Sequence, residues 1–291
     1  MKIFVTGDKG FIGTNLTRNF QNKEIVMVTD YQNNQKKRIN ILERDQFQYI
    51  ESVDAIIHLA AKTSITNSFN NPYETYHTNI GGTLNLLDFA RERKIKKIIN
   101  ISTYVYGKPT YLPIDEEHPI NPHTPYNKSK IISENLCKYY SHDYGINIVT
   151  LRPFYIYGPL SNPLSFIPSI IQQINKNGNV YLNQENTKRD FLFIDDFINL
   201  VLKILNKFPE GYNVYNAGYG KSNSLEEIIK IIEKITGIKI NILYDKSIRP
   251  NDIIEMVADI TRVTKSFDWK PQIDIEEGLR LTLKNFTIPI F

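Results

Sequence analysis

Apolar residues along the chain gather in two kinds of run. Short, nearly continuous stretches at Lys2–Thr6, 24–29, 54–61, 97–102 and 147–151 read as strands, the pattern of strands covered on both faces. Between them the spacing changes. Ile12, Leu16 and Phe20 recur at helical intervals, Ile80, Leu84, Leu87 and Ala90 stripe a helix predicted over 72–93, and another is predicted over 126–144. Strand and helix alternate with short connections, so the spacing predicts a parallel, doubly wound α/β sheet. The strand at 54–61 reads as the fourth of that sheet.

Beyond residue 151 the pattern loosens. Pro153, Pro159, Pro163 and Pro168 mark a turn-off into a smaller C-terminal α/β lobe. Helices are predicted there at 164–176, 196–206, 224–236, 260–267 and 275–286, with strands at 180–182, 190–194, 213–216 and 239–243. The expected division is 1–158 and 159–291, with room for later segments to return to the first sheet.

Composition narrows the classes. With 291 residues, 41% hydrophobic and 23% charged, the chain reads as an ordinary globular protein. A net charge of +4 helps attract a diphosphate and falls short of a nucleic-acid binder. The basic run from Arg91 to Lys97 reads as a solvated helix end. One cysteine, Cys137, excludes a disulfide framework and a cysteine metal cluster. His118 and His123 lie near Glu116 and Glu117 without ligand spacing, so no metal is expected. No leader and no membrane-length apolar run is read, and the expected location is cytoplasmic.

Candidate chemistry starts at Gly7-Asp8-Lys9-Gly10-Phe11-Ile12-Gly13, set between the first strand and the first helix. Gly7 permits the tight turn, Gly10 lets the backbone approach a pyrophosphate, and Gly13 lets helix and strand pack closely. Asp30 ends the second strand where an acidic residue meets adenosine ribose hydroxyls, which favours NAD. Lys36, Lys37 and Arg38 keep NADP open. Further along, Thr124 can cap a helix whose first residue is Pro125. Tyr126 and Lys130 then share one face, one turn apart. A lysine cation there favours the phenolate, making Tyr126 a candidate acid/base for a hydroxyl–ketone interconversion.

These motifs together resemble the extended short-chain dehydrogenase/reductases, specifically the NAD-dependent nucleotide-sugar epimerase/dehydratase family, like the UDP-glucose 4-epimerases. The resemblance runs through Thr6–Gly13, His58–Ala61, Asn79–Asn85, Ser102–Gly107, Pro125–Lys130, Leu151–Pro159, Arg189–Phe191, Arg249–Asp252, Ala258–Asp259 and Trp269–Pro271. It implies a Rossmann-type sheet domain that holds the cofactor and a substrate lobe. It implies Ser102, Tyr126 and Lys130 as catalytic residues, with Tyr126 exchanging a proton with a sugar hydroxyl and Ser102 bonding the same oxygen. Cofactor contacts are implied at Gly7, Gly10, Phe11, Ile12, Gly13, Asp30, Asn40, Ile41, Leu59, Ala60, Ala61, Tyr126 and Lys130. Substrate contacts are implied at Lys62, Ser64, Thr103, Tyr104, Tyr155, Arg189 and Arg249, with both arginines on the diphosphate. Many relatives have an asparagine where Tyr155 stands, so the sugar pocket should differ.

The family's 4,6-dehydratases carry Asp-Glu directly after the catalytic hydroxyl residue, where this chain has Thr103 and Tyr104. Decarboxylating relatives keep a glutamate at the Tyr104 position. The expected reaction is therefore 4-epimerisation of a nucleotide-diphosphate hexose with NAD, the alternative being 4-keto reduction or its reverse. A dinucleotide sensor without catalysis would normally lack the tyrosine or lysine. A homodimer is expected through the helices near 72–93 and 126–144, using Ile80, Leu84, Leu87, Ile132, Leu136 and Tyr140.

Overall fold

A computed structural model of the chain describes residues 1–20, the backbone of 26–29, and residues 39–244 and 253–286. Asp30, Lys36, Lys37, Arg38 and Arg249 lie outside the described residues. Two compact units are present. The first holds residues 1–106, 120–153 and 201–215, and the second holds 107–119, 154–200 and 216–291.

In the first unit, β1 (Lys2–Thr6) leads into α1 (Phe11–Phe20) and β2 (Val26–Thr29). Next come β3 (Ala55–His58), α2 (Ile65–Asn70), α3 (Pro72–Tyr76) and α4 (Gly82–Glu92). β4 (Lys97–Ile101), α5 (Pro125–Tyr144) and β5 (Asn147–Pro153) complete the set. β2, β1, β3, β4 and β5 lie side by side in parallel, with Val5 opposite Ile57 and Ile99 opposite Val149. Every residue of β3 is buried, as its sequence requires.

Two expectations are corrected here. The strand predicted over 54–61 is third in chain order and closes at His58, because the Leu59 amide is shared between the Thr6 carbonyl and Oγ1 and the Ala60 amide turns to Thr6 Oγ1. The helix predicted over 72–93 is broken by one π-helical turn, His77–Gly81. At that turn the buried Asn79 side chain leaves the helix, accepting from the Lys62 amide at 2.7 Å and donating to Ser129 Oγ at 2.8 Å. Phe4, Phe47 and Phe89 pack edge-on and tilted, with centroids 5.2–6.4 Å apart, and centre the core on this face of the sheet.

The second unit takes β6 (Tyr155–Tyr157), α6 (Phe166–Asn177), β7 (Asn179–Leu182), β8 (Lys188–Phe193) and the start of α7 (Ile194–Asn206), whose later part, with most of β9 (Tyr212–Ala217), belongs to the first unit. β10 (Ser222–Ser224), α8 (Leu225–Thr236), β11 (Asn241–Tyr244), α9 (Thr261–Phe267) and α10 (Ile275–Leu283) complete the second unit. β9 extends the large sheet beside β5, giving six strands, while β10-β8-β6 and β11-β7 form two small sheets. No helix among the described residues is long and apolar enough to cross a membrane.

Asp190 ties the second unit together. Its buried carboxylate accepts the amides of Tyr219, Gly220 and Ala258 at 2.6–3.0 Å. Asp190→Ala orphans three amides at once, at roughly 1–3 kcal/mol for each that stays unsatisfied. The expected loss is about 2–5 kcal/mol in urea unfolding, and a loss under about 1 kcal/mol would contradict this pin.

Candidate active site

The local sequence builds α5 as expected. Thr124 is extended and accepts the Asn127 amide at 3.0 Å, and Pro125 takes the first helical position. The buried face of α5 then runs Tyr126, Ser129, Lys130, Ser133, Glu134, Cys137 and Ser141. That is a helical stripe made almost wholly of polar groups. Such a face can be buried only when its groups are bonded. Ser129 and Ser133 bond Tyr126 and Asn79 carbonyls, and Glu134 meets Arg152.

Tyr126 is 8% exposed and Lys130 3%. Burial pushes the Tyr126 phenol above its ordinary value, partly offset by a hydrogen bond with the Thr103 hydroxyl. Within the chain, then, the expected lowering of Tyr126 by Lys130 is not met, because desolvation of the phenolate outweighs it. Lys130 is itself pushed down to about 8 by burial, opposed in part by Glu134. His58 is pushed down to about 3 by burial and the nearby Lys130 charge. It stays neutral between Thr6 Oγ1 at 2.8 Å and Thr83 Oγ1 at 3.1 Å, a packed strand-end histidine as expected.

Of the two hydroxyls after β4, Ser102 is 3% exposed and donates to Glu134 Oε1, and Thr103 is half-buried and acts on the Tyr126 phenol against the effect of burial. Ser102 was the expected partner of the catalytic oxygen, and in the structure its proton is committed to the carboxylate. Arg152 Nη2 reaches Glu134 Oε2 at 2.6 Å, and Nη1 reaches Tyr106 Oη at 3.1 Å. Asn127 Nδ2 donates to the Tyr104 carbonyl at 2.7 Å and fastens the loop after β4 to α5. Sequence reasoning passed over Glu134 and Asn127. The available signal was that Glu134 lies eight residues after Tyr126, two turns on along one face.

The β1–α1 turn suits a dinucleotide diphosphate. Gly7 has φ of +74°, and a Cβ there would sit 2.8 Å from the Ala60 nitrogen. A Cβ at Gly13 would collide with the Gly7 carbonyl and the Asp8 backbone, and Gly10 donates its amide to Gly7 at 3.0 Å. The first amides of α1 at Phe11 and Ile12 lack helical acceptors and suit an anion. Asp8 Oδ1 is buried without a partner from the chain, an acceptor that a cofactor donor can use. Leu59, Ala60 and Ala61 follow β3 half-buried. Asn40 is exposed, whereas Ile41 is 7% exposed and packs against Gly82, so its side chain belongs to the core.

Lys62 and Ser64 line a polar hollow of about 260 Å³ with Asn67, Asn71 and Glu74. Lys62 Nζ pairs with Glu74 at 2.6 Å, and Ser64 caps α2. In the second unit, Tyr155 Oη accepts the Phe166 amide at the start of α6 at 2.7 Å, and burial pushes its phenol up to about 12. Arg189 Nη1 donates to the carbonyls of Lys188 and Ile254 at 2.8 and 3.3 Å. Among the described residues, no three His, Cys, Asp or Glu side chains gather as a metal set.

Known proteins match this arrangement. The family model described as NAD dependent epimerase/dehydratase family matches residues 3–218. The chain is 34% identical over 235 residues to the UDP-glucuronate 4-epimerase of Thermodesulfobacterium geofontis, covering 80% of this chain and 72% of the relative. It is 30% identical to the GDP-6-deoxy-D-mannose reductase of Pseudomonas aeruginosa, over 98% of this chain and 97% of the relative. The crystal structure of the Bacillus cereus UDP-glucuronic acid 4-epimerase, in complex with UDP-glucuronic acid and NAD, superposes with a TM-score of 0.88 at 28% identity, covering 98% of each chain. The fold and the site define an extended short-chain dehydrogenase/reductase with a Rossmann sheet. Within that class, the chain belongs to the NAD-dependent epimerase/dehydratase family of nucleotide-sugar enzymes.

Lys130 supplies a test of how this site is paid for. Its folded value of about 8 lies below the unfolded value near 10.5, so its cost to folding is full below pH 8 and relieved as pH rises toward 10.5. Lys130→Met is expected to raise stability at pH 7 by roughly 1–3 kcal/mol and to flatten the pH dependence of urea unfolding between pH 8 and 10. A less stable variant at pH 7 would contradict that reading.

Proposed function

We propose that this chain is a nucleotide-sugar 4-epimerase that uses NAD and acts by transient oxidation of C4 of a nucleotide-diphosphate hexose. The observation that carries this reading is the buried Tyr126 phenol on α5, one turn from the buried Lys130 on the same face. The Gly7–Gly13 turn would hold the NAD diphosphate, Asp30 the adenosine ribose and Lys130 the nicotinamide ribose. When bound, NAD accepts and returns a hydride. Tyr126 takes the C4 hydroxyl proton during oxidation and gives it back during reduction. Thr103 and Tyr104 stand where dehydratases carry Asp-Glu, which supports chemistry without elimination. Tyr155, Arg189 and Arg249 are proposed on the substrate side, with Lys62 and Ser64 in the segment between β3 and α2.

A 4-keto reductase is the second reading, favoured by the end-to-end similarity to the Pseudomonas aeruginosa reductase. Cofactor content separates the two. The purified protein, with no cofactor added, is expected to release near-stoichiometric NAD on denaturation. An empty protein that reduces 4-keto sugars with NADPH would replace the first reading by the second. Tyr126→Phe is expected to keep bound NAD and lose about 10²–10⁴-fold in turnover of UDP-glucose. Full activity in that variant would end the mechanism.

A homodimer is proposed, through α4 and α5. Leu84 on α4 and Ile132 on α5 are 41% and 40% exposed, and Tyr139, two turns on from Ile132, is 60% exposed. Leu87, expected at that interface, is fully buried in the core instead, and Leu136 and Tyr140 pack against the core. Light scattering at micromolar concentration should give twice the chain mass, and a monomer would refute the assembly.

A further inference from the structure

His58 stands at the centre of a buried hydrogen-bond chain whose directions follow from counting protons. Thr6 Oγ1 accepts the amides of Leu59 and Ala60, each at 3.2 Å, so its own proton goes to His58 Nδ1 at 2.8 Å. On the other side of the ring, Thr83 Oγ1 spends its proton on the Asn79 carbonyl at 2.6 Å and accepts from His58 Nε2 at 3.1 Å. The imidazole is therefore neutral, with its proton on Nε2. Ser133 Oγ donates to the same Asn79 carbonyl at 2.9 Å. The Asn79 side chain clasps Lys62, accepting its amide at 2.7 Å and donating to its carbonyl at 3.1 Å. Thr6, His58, Asn79, Thr83 and Ser133 are all 2% exposed or less.

The segment that follows β3 is thus gripped at both ends. Leu59 and Ala60 are held through Thr6, Lys62 through Asn79, and His58 links the two holders. The gripped backbone is also a wall of the β1–α1 turn, since a Cβ on Gly7 would lie 2.8 Å from the Ala60 nitrogen and 3.0 Å from the Leu59 carbonyl carbon. Backbone meets backbone there, so a displacement of Ala60 passes to the Gly7 turn. Lys130 of α5 is the charge that acts on the ring, and with burial it opposes a second proton. A leucine at this position would fill similar space but leave the Thr6 hydroxyl proton without its acceptor.

We propose that neutral His58 is a positioning residue for NAD: it couples the Thr6 and Asn79 clamps and so fixes Leu59–Lys62 as the wall against which the Gly7–Gly13 turn holds the cofactor. The assignment rests on that turn as the dinucleotide site and not on the chemistry at C4, and its tests need no turnover. The first reads the ring. In protein labelled with ¹⁵N at its five histidines, the signals lost in His58→Asn identify His58. Wild type is expected to carry a proton on Nε2 alone, unchanged between about pH 8 and 5, because the folded value lies at about 3. A proton on Nδ1, or a second proton taken up in that range, overturns the assignment. The second test titrates NAD into cofactor-stripped protein by calorimetry. His58→Leu is expected to weaken NAD binding by about 10–100-fold, and His58→Asn, whose amide oxygen stands in for Nδ1, to recover most of that loss. If His58→Leu does not fold, His58→Gln takes its place with the same expectation, since its amide reaches the Nε2 side and leaves Thr6 without an acceptor. Affinity within about twofold of wild type in the variant lacking that acceptor, or an equal loss in His58→Asn, overturns the proposal. Wild type that binds NAD yet leaves UDP-glucose unchanged counts against the epimerase reading alone.

Discussion

A carboxylate and a guanidinium buried together behind α5 set the conditions for everything at the site. Glu134 and Arg152 have side chains only 4% and 6% exposed. Burying such a pair is expensive unless its remaining hydrogen-bonding positions are filled. Here they are filled by Ser102 on the acid and Tyr106 on the base. The pair fastens α5 to β5, takes the hydroxyl at the end of β4, and places a negative charge two turns below Tyr126. Lys130, between them on the same stripe, stays close enough to that charge for it to offset part of the burial cost. A hydrophobic isostere could pack the same space, but it would leave neither a fixed strand end nor a counter-charge beneath the lysine.

The same polar face explains which parts of the fold were legible from sequence. The parallel sheet was plain, because β1, β3, β4 and β5 are covered on both sides and their residues say so. The turn from Gly7 to Gly13 was plain too, since close backbone approach leaves few residue types able to occupy it. Helix α5 was found by its cap and by Tyr126 and Lys130, not by amphipathic spacing, because its inward face is serine, lysine and glutamate. Where the reading failed, long-range bonds had decided the outcome. The helix expected over 72–93 changes pitch because Asn79 bonds Lys62 and Ser129, contacts that local spacing cannot report.

The engagement of Ser102 was illegible for a similar reason. Its partner is a carboxylate thirty-two residues further on, reached only once α5 has docked. Ile41 and Leu87 follow the same rule, since each looks available in sequence and each is taken by the core. The site is thus written in two layers. The motif residues are visible in the sequence, and the residues that hold them are visible only as a packed, bonded face.

In the proposed reaction C4 is oxidised and reduced again with a hydride that never leaves the protein. The measurement that decides it uses UDP-glucose carrying deuterium at C4, incubated with the purified protein without added cofactor and followed by NMR. The expected product is a C4 epimer that keeps the deuterium at C4. An epimer that has lost its label to solvent, or a labelled substrate that stays unchanged while 4-keto sugars are reduced, would contradict it.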